Sequence, residues 1–204
     1  MGDSKGAASY ADRPTPILGA VLCGGQSSRF GTDKALVDVD GRPLAARIID
    51  ALRGAGADPV VAVGGSAGLQ LGVPTIADRH PGQGPLAALG TVLLWARTGL
   101  VVVTSCDVPL LTAAHVKALL AAAAPNRAAV ATVDDRPQPS LACWPAGYGS
   151  DIAAMVKEGR RTWRSALDAG PWVRVELPPE SVADADTPAE LSQLLSNHPP
   201  VDRS

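Results

Sequence analysis

Residues 17–34 have the sequence ILGAVLCGGQSSRFGTDK, in which an apolar run leads directly into a glycine-rich loop. The segment from Ile17 to Leu22 predicts a buried β-strand, because it is apolar, short and followed at once by loop residues. Pro43 then opens a segment with apolar residues at every fourth position, which predicts a helix. This order of strand, loop and helix is typical of an α/β protein.

The same alternation continues along the chain and predicts a doubly wound, mostly parallel sheet with helices on both faces. The later part of the chain is expected to add edge strands and a small substrate-facing lobe to this sheet. Further strands are predicted at 59–63, 73–76, 100–104, 128–133, 141–144 and 172–176. Further helices are predicted to begin at Pro85 and after Thr112, and to cover 151–157, 161–169 and 188–196.

The length and composition indicate one globular domain without an overall charge that would attract a polyanion. A length of 204 residues favours one domain, which we place at 17–196, between a disordered leader (1–16) and a flexible tail (197–204). A net charge of -2 and 3% aromatic residues argue against nucleic-acid binding. No apolar run is long enough for a membrane span, and three scattered cysteines favour a reducing cytoplasm.

The loop after the first strand has the composition of a phosphate-binding loop. Adjacent glycines let backbone N–H groups approach a phosphate, while serines and cations add donors and charge. The residues concerned are Gly24, Gly25, Ser27, Ser28, Arg29 and Lys34. Their spacing fits neither a Walker loop nor a dinucleotide fingerprint. The alternative is a surface turn that ends in an exposed lysine.

Asp107 follows the most apolar of the predicted strands. Because ligands of open parallel sheets bind beyond the carboxyl ends of the strands, Asp107 and the glycine-rich loop are expected at one edge. The alternative for an isolated aspartate here is a role in capping the helix that Thr112 begins.

Three segments together resemble the nucleotidyltransferase family that includes the MobA-type molybdenum cofactor guanylyltransferases. The segment from Leu22 to Lys34 resembles the signature L-A-G-G-x-S-x-R-M-G-x-D-K and departs from it only at Cys23 and Phe30. Residues 78–86 resemble D-x-x-P-G-x-G-P-L, and residues 107–109 resemble the metal-binding D-x-P. The resemblance spans about 17–195, is weaker after 128, and implies a Rossmann-like nucleotidyltransferase fold.

The resemblance implies an Mg²⁺-dependent enzyme that moves GMP from GTP onto the phosphate of a molybdopterin-type cofactor and releases pyrophosphate. It also implies a molybdoenzyme or cofactor-delivery protein as partner. The implied catalytic residues are Lys34, Arg29 and Asp107, and the implied metal ligands are Asp107 and Asp186. The implied nucleotide-binding residues are Leu22, Cys23, Gly24, Gly25, Ser27, Ser28, Lys34, Gly64, Asp78 and Asp107. Asp78 would contact guanine or ribose, unless it is an ordinary solvated carboxylate.

Two departures from the family pattern leave other readings open. Gly64 and Gly65 stand where these guanylyltransferases often have Asn, and 184–188 is D-A-D-T-P instead of N-x-N-T-P. The alternatives are a cytidylyltransferase, a sugar-phosphate nucleotidyltransferase, or a non-catalytic nucleotide-binding accessory protein. Asp186 or Thr187 could also simply cap a helix that has Pro188 in its first turn.

A small basic cluster near Trp163 has two interpretations. It comprises Arg160, Arg161 and Arg164. The cluster is either a solvated surface or a binding site for the phosphate of the acceptor substrate.

Overall fold

The structure is a computed structural model that describes residues 15–23, 34–39, 41–65, 67–185 and 187–197. Most of the predicted leader (1–16) and tail (197–204) lies outside these ranges. Within the described residues, no helix is both long enough and apolar enough to cross a membrane.

Seven of the described strands form one mixed sheet. They are β1 (Ile17–Leu22), β4 (Val60–Val63), β5 (Thr75–Ile76), β6 (Leu100–Ser105), β7 (Ala128–Val133), β8 (Arg136–Pro145) and β9 (Trp172–Glu176). Two further short strands, β2 (Asp38–Val39) and β3 (Arg42–Pro43), form a separate hairpin. The sheet order is β5-β4-β1-β6-β8-β7-β9, and β8 alone runs against the other six strands of this sheet.

Helices cover both faces of the sheet, as the doubly wound prediction requires. The helices are α1 (Leu44–Gly54), α2 (Ala67–Leu71), α3 (Pro85–Ala96), α4 (Ala113–Ala122), α5 (Gly149–Lys157) and α6 (Pro188–Asn197). α1 and α4 bury their apolar residues against one face, and α3 and α5 bury theirs against the other. The predicted class, α/β with a doubly wound and mostly parallel sheet, is therefore confirmed.

The apolar runs of β1 and β6 are buried on both faces of the sheet. Ala20 and Val21 of β1 are fully buried, and so are Val101 and Val102 of β6. Because alternate residues of a strand point to opposite faces, a strand covered on both faces must be apolar throughout. This explains why a continuous Val-rich run predicts a central strand in this protein.

The later part of the chain differs in detail from its prediction. The strand predicted at 141–144 belongs to the longer β8, which lies between β6 and β7. Of the three strands after residue 127, only β9 therefore lies at an edge of the sheet. The helix predicted at 161–169 is a 3-10 helix at Trp163–Asp168. β2, β3 and α2 were not predicted, because segments of two to five residues are too short to show a periodicity.

The order of the strands predicts a ligand site at one end of β1 and β6. From β1 the chain continues to β4 and β5 on one side, and it then returns to form β6 on the other side of β1. The connections therefore leave β1 and β6 in opposite directions. Where the connections of two neighbouring strands diverge in this way, a crevice is expected beyond the carboxyl ends of the strands, and ligands of open α/β sheets bind in such crevices.

Candidate functional site

A buried lysine and a partly buried aspartate are paired at this end of the sheet. Lys34 begins a 3-10 helix (Lys34–Leu36) and is only 6% exposed. Its Nζ atom lies 3.2 Å from Oδ2 of Asp107, which follows β6 by two residues. A buried ammonium requires an anionic partner, because its desolvation would otherwise be costly. Lys34 and Asp107 therefore lie together at this end of the sheet.

The second oxygen of Asp107 has a different partner. Oγ of Ser105, the last residue of β6, donates a hydrogen bond of 2.5 Å to Oδ1 of Asp107. The side chain of Asp107 remains 27% exposed, so solvent or a ligand can reach it. Sequence reasoning missed Ser105, because a serine at a strand end carries no motif of its own.

Backbone hydrogen bonds align the strand ends around this pair. The N–H of Cys23 donates to Val63 O over 2.9 Å, and the N–H of Cys106 donates to Leu22 O over 3.2 Å. The N–H of Gly64 donates in turn to Ile76 O. Leu22, Cys23 and Gly64 therefore lie at the same edge as Asp107. The Cys23 N–H and the Leu22 carbonyl are already engaged within the sheet.

Asp78 follows β5 at the same end of the sheet, and it connects the loop after β5 to α3 by a hydrogen bond. Its Oδ1 accepts hydrogen bonds from the His80 N–H (3.0 Å) and from Oγ1 of Thr91 (3.2 Å). The N–H of Arg79 donates to the same Thr91 hydroxyl, which is buried in α3. Asp78 is thus a partly buried carboxylate whose Oδ1 is engaged within the protein.

A comparison with known proteins identifies the family of this chain. A model of the MobA-like NTP transferase domain matches residues 19–171. This chain belongs to the MobA-like NTP transferase family. The match begins within β1 and includes both Lys34 and Asp107, so the paired residues lie inside the family domain.

Named relatives cover nearly the whole of this MobA-like NTP transferase. A probable molybdenum cofactor guanylyltransferase from Deinococcus radiodurans is 34% identical over 182 residues, which are 88% of this chain and 94% of the relative. A molybdenum cofactor guanylyltransferase from Yersinia pestis is 33% identical over 180 residues, 85% of this chain and 92% of the relative.

A solved structure shares the fold of this MobA-like NTP transferase at low identity. It is the molybdopterin-guanine dinucleotide biosynthesis protein A from Archaeoglobus fulgidus, with a TM-score of 0.68 and 21% identity. The similarity covers 88% of this chain and 97% of that structure.

In this MobA-like NTP transferase, the loop before α3 packs against a distant connector. Gly84 has a φ of +87°, and a Cβ atom placed there would lie 2.7 Å from the carbonyl oxygen of Arg161. The N–H of Leu86 donates to that same carbonyl over 3.3 Å. Only glycine combines this backbone conformation with so close an approach. Residues 81–86, which resemble the family segment, are thereby fixed against the chain after α5.

Two arginines of the predicted basic cluster are occupied by contacts within the protein. Arg160 pairs with Asp168 and also donates to Ser165 O. Arg161 donates from Nη1 to the carbonyls of Val156 and Arg160 and so caps the end of α5. Of the three predicted arginines, Arg164 alone is exposed, and the other two are partly buried. The cluster as a whole is therefore not an open phosphate site.

Several predicted site residues lie outside the described part of the chain. They are Gly24, Gly25, Ser27, Ser28, Arg29 and Asp186. Beside the last of these, Oγ1 of Thr187 accepts a hydrogen bond from the N–H of Glu190 and caps α6. The capping role predicted for Asp186 or Thr187 is thus taken by Thr187.

The donor set at Asp107 fits a hard cation shared with a phosphate ligand. Mg²⁺ is usually held by one or two carboxylates together with substrate phosphates and water. Within the described residues, no group of three or more His, Cys, Asp or Glu side chains could hold a metal alone. A partly exposed carboxylate beside a lysine provides one protein ligand and a counter-charge for phosphate.

Proposed function

We propose that this MobA-like NTP transferase is a molybdenum cofactor guanylyltransferase. It transfers GMP from GTP to the terminal phosphate of a molybdopterin-type cofactor, giving the guanine dinucleotide form and pyrophosphate. The observation that carries this proposal is the pairing of Lys34 with Asp107 at the end of β1 and β6 where the connections from these strands diverge. The relatives named for this activity support the choice of substrates.

The triphosphate is proposed to lie between the glycine-rich loop and Lys34. In this arrangement the amides of Gly24 and Gly25, with the hydroxyls of Ser27 and Ser28, donate to phosphate oxygens. Adjacent glycines leave room for that approach. Leu22, Cys23 and Gly64 form the floor of the site through their backbone at the strand ends.

The guanine base is proposed to lie toward Asp78. Asp78 and Asp107 follow β5 and β6, and these strands are three strand spacings, or about 14 Å, apart. A nucleoside triphosphate can span that distance between its base and its phosphates. Oδ1 of Asp78 is held by His80 and Thr91, which leaves Oδ2 to accept from guanine N1–H or N2–H.

The reaction forms a bond from an acceptor phosphate oxygen to the α-phosphorus of GTP and breaks the bond to the β-phosphate bridging oxygen. Such transfers depend on positioning and on stabilising charge rather than on covalent catalysis. Lys34 and Arg29 are the cations proposed to stabilise the negative charge that builds on the α-phosphate and on departing pyrophosphate. Asp107, with Asp186 as second ligand, would hold Mg²⁺, which neutralises and orients the phosphates.

Pyrophosphate release tests this proposal directly. Purified protein is given GTP, Mg²⁺ and molybdopterin cofactor, with the Deinococcus radiodurans relative as the positive control. We expect release that requires both substrates and falls on the order of 100-fold in Asp107→Asn. Asp151→Asn, at an exposed position of α5, is the matched control and should retain full activity. Absence of release where the relative reacts would refute the proposed function.

A different base specificity is the second candidate, and one observation keeps it open. Gly64 and Gly65 both adopt left-handed backbone conformations, with φ of +72° and +62°, and provide no side chain to recognise a base. GTP and CTP are therefore compared by thermal unfolding. A ligand at about 100 times its dissociation constant stabilises a protein by about 2.7 kcal/mol. We expect this stabilisation with GTP, whereas stabilisation by CTP alone would favour a cytidylyltransferase.

A further inference from the structure

The Asp107 carboxylate is held from two sides by chemically different groups. Oδ1 accepts the 2.5 Å hydrogen bond from Oγ of Ser105, and Oδ2 faces Nζ of Lys34 at 3.2 Å. Each oxygen has one close partner, so the plane of the carboxylate is defined rather than free to rotate. The two contacts also differ in kind, since one partner is a neutral hydroxyl and the other a cation.

Ser105 can hold this orientation because its own backbone is fixed by the sheet. It is the last residue of β6 and pairs in register with Leu22 at the end of β1. The Cys106 N–H continues the same ladder to Leu22 O. A hydroxyl attached to so rigid a position is a better orienting group than one on a free loop.

We propose that Ser105 is a positioning residue that occupies Oδ1 of Asp107 and leaves Oδ2 as the single oxygen offered to a divalent cation. This inference rests on the metal role of Asp107 in the proposed function. Donation from the Ser105 hydroxyl makes Oδ1 a poorer ligand, because one of its lone pairs is already used. The Lys34 ammonium contacts Oδ2, so the ammonium and a divalent cation would compete for the same atom. Hydrogen bonds to ligating carboxylates commonly set metal affinity in this way.

The test measures Mn²⁺ binding by electron paramagnetic resonance in the presence of a non-hydrolysable GTP analogue. The variants are Ser105→Ala, Ser105→Thr and Thr104→Val. Thr104→Val is the matched control, because it removes the adjacent buried hydroxyl of β6, which bonds to Ser105 O and not to Asp107. Binding of the analogue without metal is measured in parallel by fluorescence.

We expect the dissociation constant for Mn²⁺ to rise about tenfold in Ser105→Ala. Ser105→Thr, which keeps the hydroxyl, should restore it to nearly the wild-type value, and Thr104→Val should leave it unchanged. Metal-free binding of the analogue should be the same in all four proteins. A merely structural role would instead lower both affinities together.

Three results would overturn the proposal. They are an unchanged Mn²⁺ affinity in Ser105→Ala, a Thr variant as weak as the Ala variant, and an equal loss of metal-free analogue binding. Wild-type protein that binds no Mn²⁺ beside the analogue would refute both this inference and the metal role of Asp107. Intact, Ser105-dependent Mn²⁺ binding without pyrophosphate release would support the inference and refute only the proposed function.

Discussion

Among single residues, Lys34 and Asp107 form a contact whose two members differ in burial. The lysine is almost completely buried, so its ammonium requires the carboxylate for stability in the protein without ligand. The carboxylate is only partly buried, so it tolerates exchange of that partner for another cation. A buried lysine paired with an accessible aspartate is suited to a site that binds and releases charged ligands.

Removal of the Lys34 charge should therefore impair turnover far more than folding. In Lys34→Met the side chain keeps its length but loses the ammonium that stabilises developing phosphate charge. We expect kcat/KM for pyrophosphate release to fall by about 100-fold to 1,000-fold. Steady-state kinetics measures the effect, and Lys157→Met, at an exposed lysine of α5, serves as the control. Turnover of Lys34→Met within threefold of wild type would show that the charge is not used.

Resemblance to family motifs predicted Lys34 and Asp107, whereas Ser105 could not be predicted. The motif residues stand at fixed spacings along the chain, and their pairing follows once β1 and β6 are neighbours. The partner of a serine hydroxyl depends instead on the local direction of a strand end, which the sequence does not encode in a recognisable pattern.

At the scale of elements, α4 begins with a reciprocal cap that depends on protonation. The N–H of His115 donates to Oγ1 of Thr112, and the Thr112 N–H donates to Nδ1 of His115. Burial lowers the pKa of His115 below 6.5, although the nearby charge of Glu180 acts in the opposite direction. The folded protein therefore favours neutral imidazole, the form whose Nδ1 can accept a hydrogen bond.

This cap should weaken as the pH falls. As the pH falls, His115 is protonated first in the unfolded chain, because its pKa is lower in the folded protein. The neutral side chain therefore contributes its full stabilisation above pH 6.5, and this stabilisation is lost as the pH falls through the pKa of the folded protein. His115→Gln keeps an acceptor at this position and removes the titration. We expect a smaller loss of unfolding free energy between pH 7 and pH 5 than in wild type, measured by urea denaturation. Equal pH slopes for both proteins would contradict this, and His80→Gln, at an exposed position, is the control.

Two glycine substitutions in the loop before α3 should differ in their effect on stability. Gly84→Ala has to adopt a left-handed backbone and displace the Arg161 carbonyl, and we expect a destabilisation of about 3 kcal/mol. Gly82→Ala shares the positive φ but has open space around a new Cβ, so it should cost about 1 kcal/mol. Thermal unfolding of the two variants isolates the contact with Arg161. Equal losses would show that the contact contributes nothing.

Elements with a strong pattern were predicted well, and elements made by tertiary contacts were not. β1, β7 and β9 match their predicted bounds. β8 begins with Arg136-Pro137-Gln138-Pro139, a polar segment with two prolines, and it becomes a strand through pairing with its neighbours. Propensity alone disfavours such a segment.

At the scale of the whole molecule, the sheet brings together residues that are far apart in sequence. Lys34 and Asp107 are separated by 73 positions, and they meet because β1 and β6 are parallel neighbours whose connections diverge. The alternation of strands and helices predicted a doubly wound sheet and hence a site at this edge. It could not predict that β8 would lie between β6 and β7, since strand order is set by long-range packing.

A crystal structure with GTP and Mn²⁺, in which the metal is located by its anomalous scattering, tests the proposed site most directly. We expect the ion about 2.1 Å from a carboxylate oxygen of Asp107, the triphosphate against Lys34 and the glycine-rich loop, and the purine at Asp78. Two results would contradict the proposed site. One is an ion bound elsewhere, and the other is a nucleotide that lies away from Lys34 and Asp107 and leaves their contact intact.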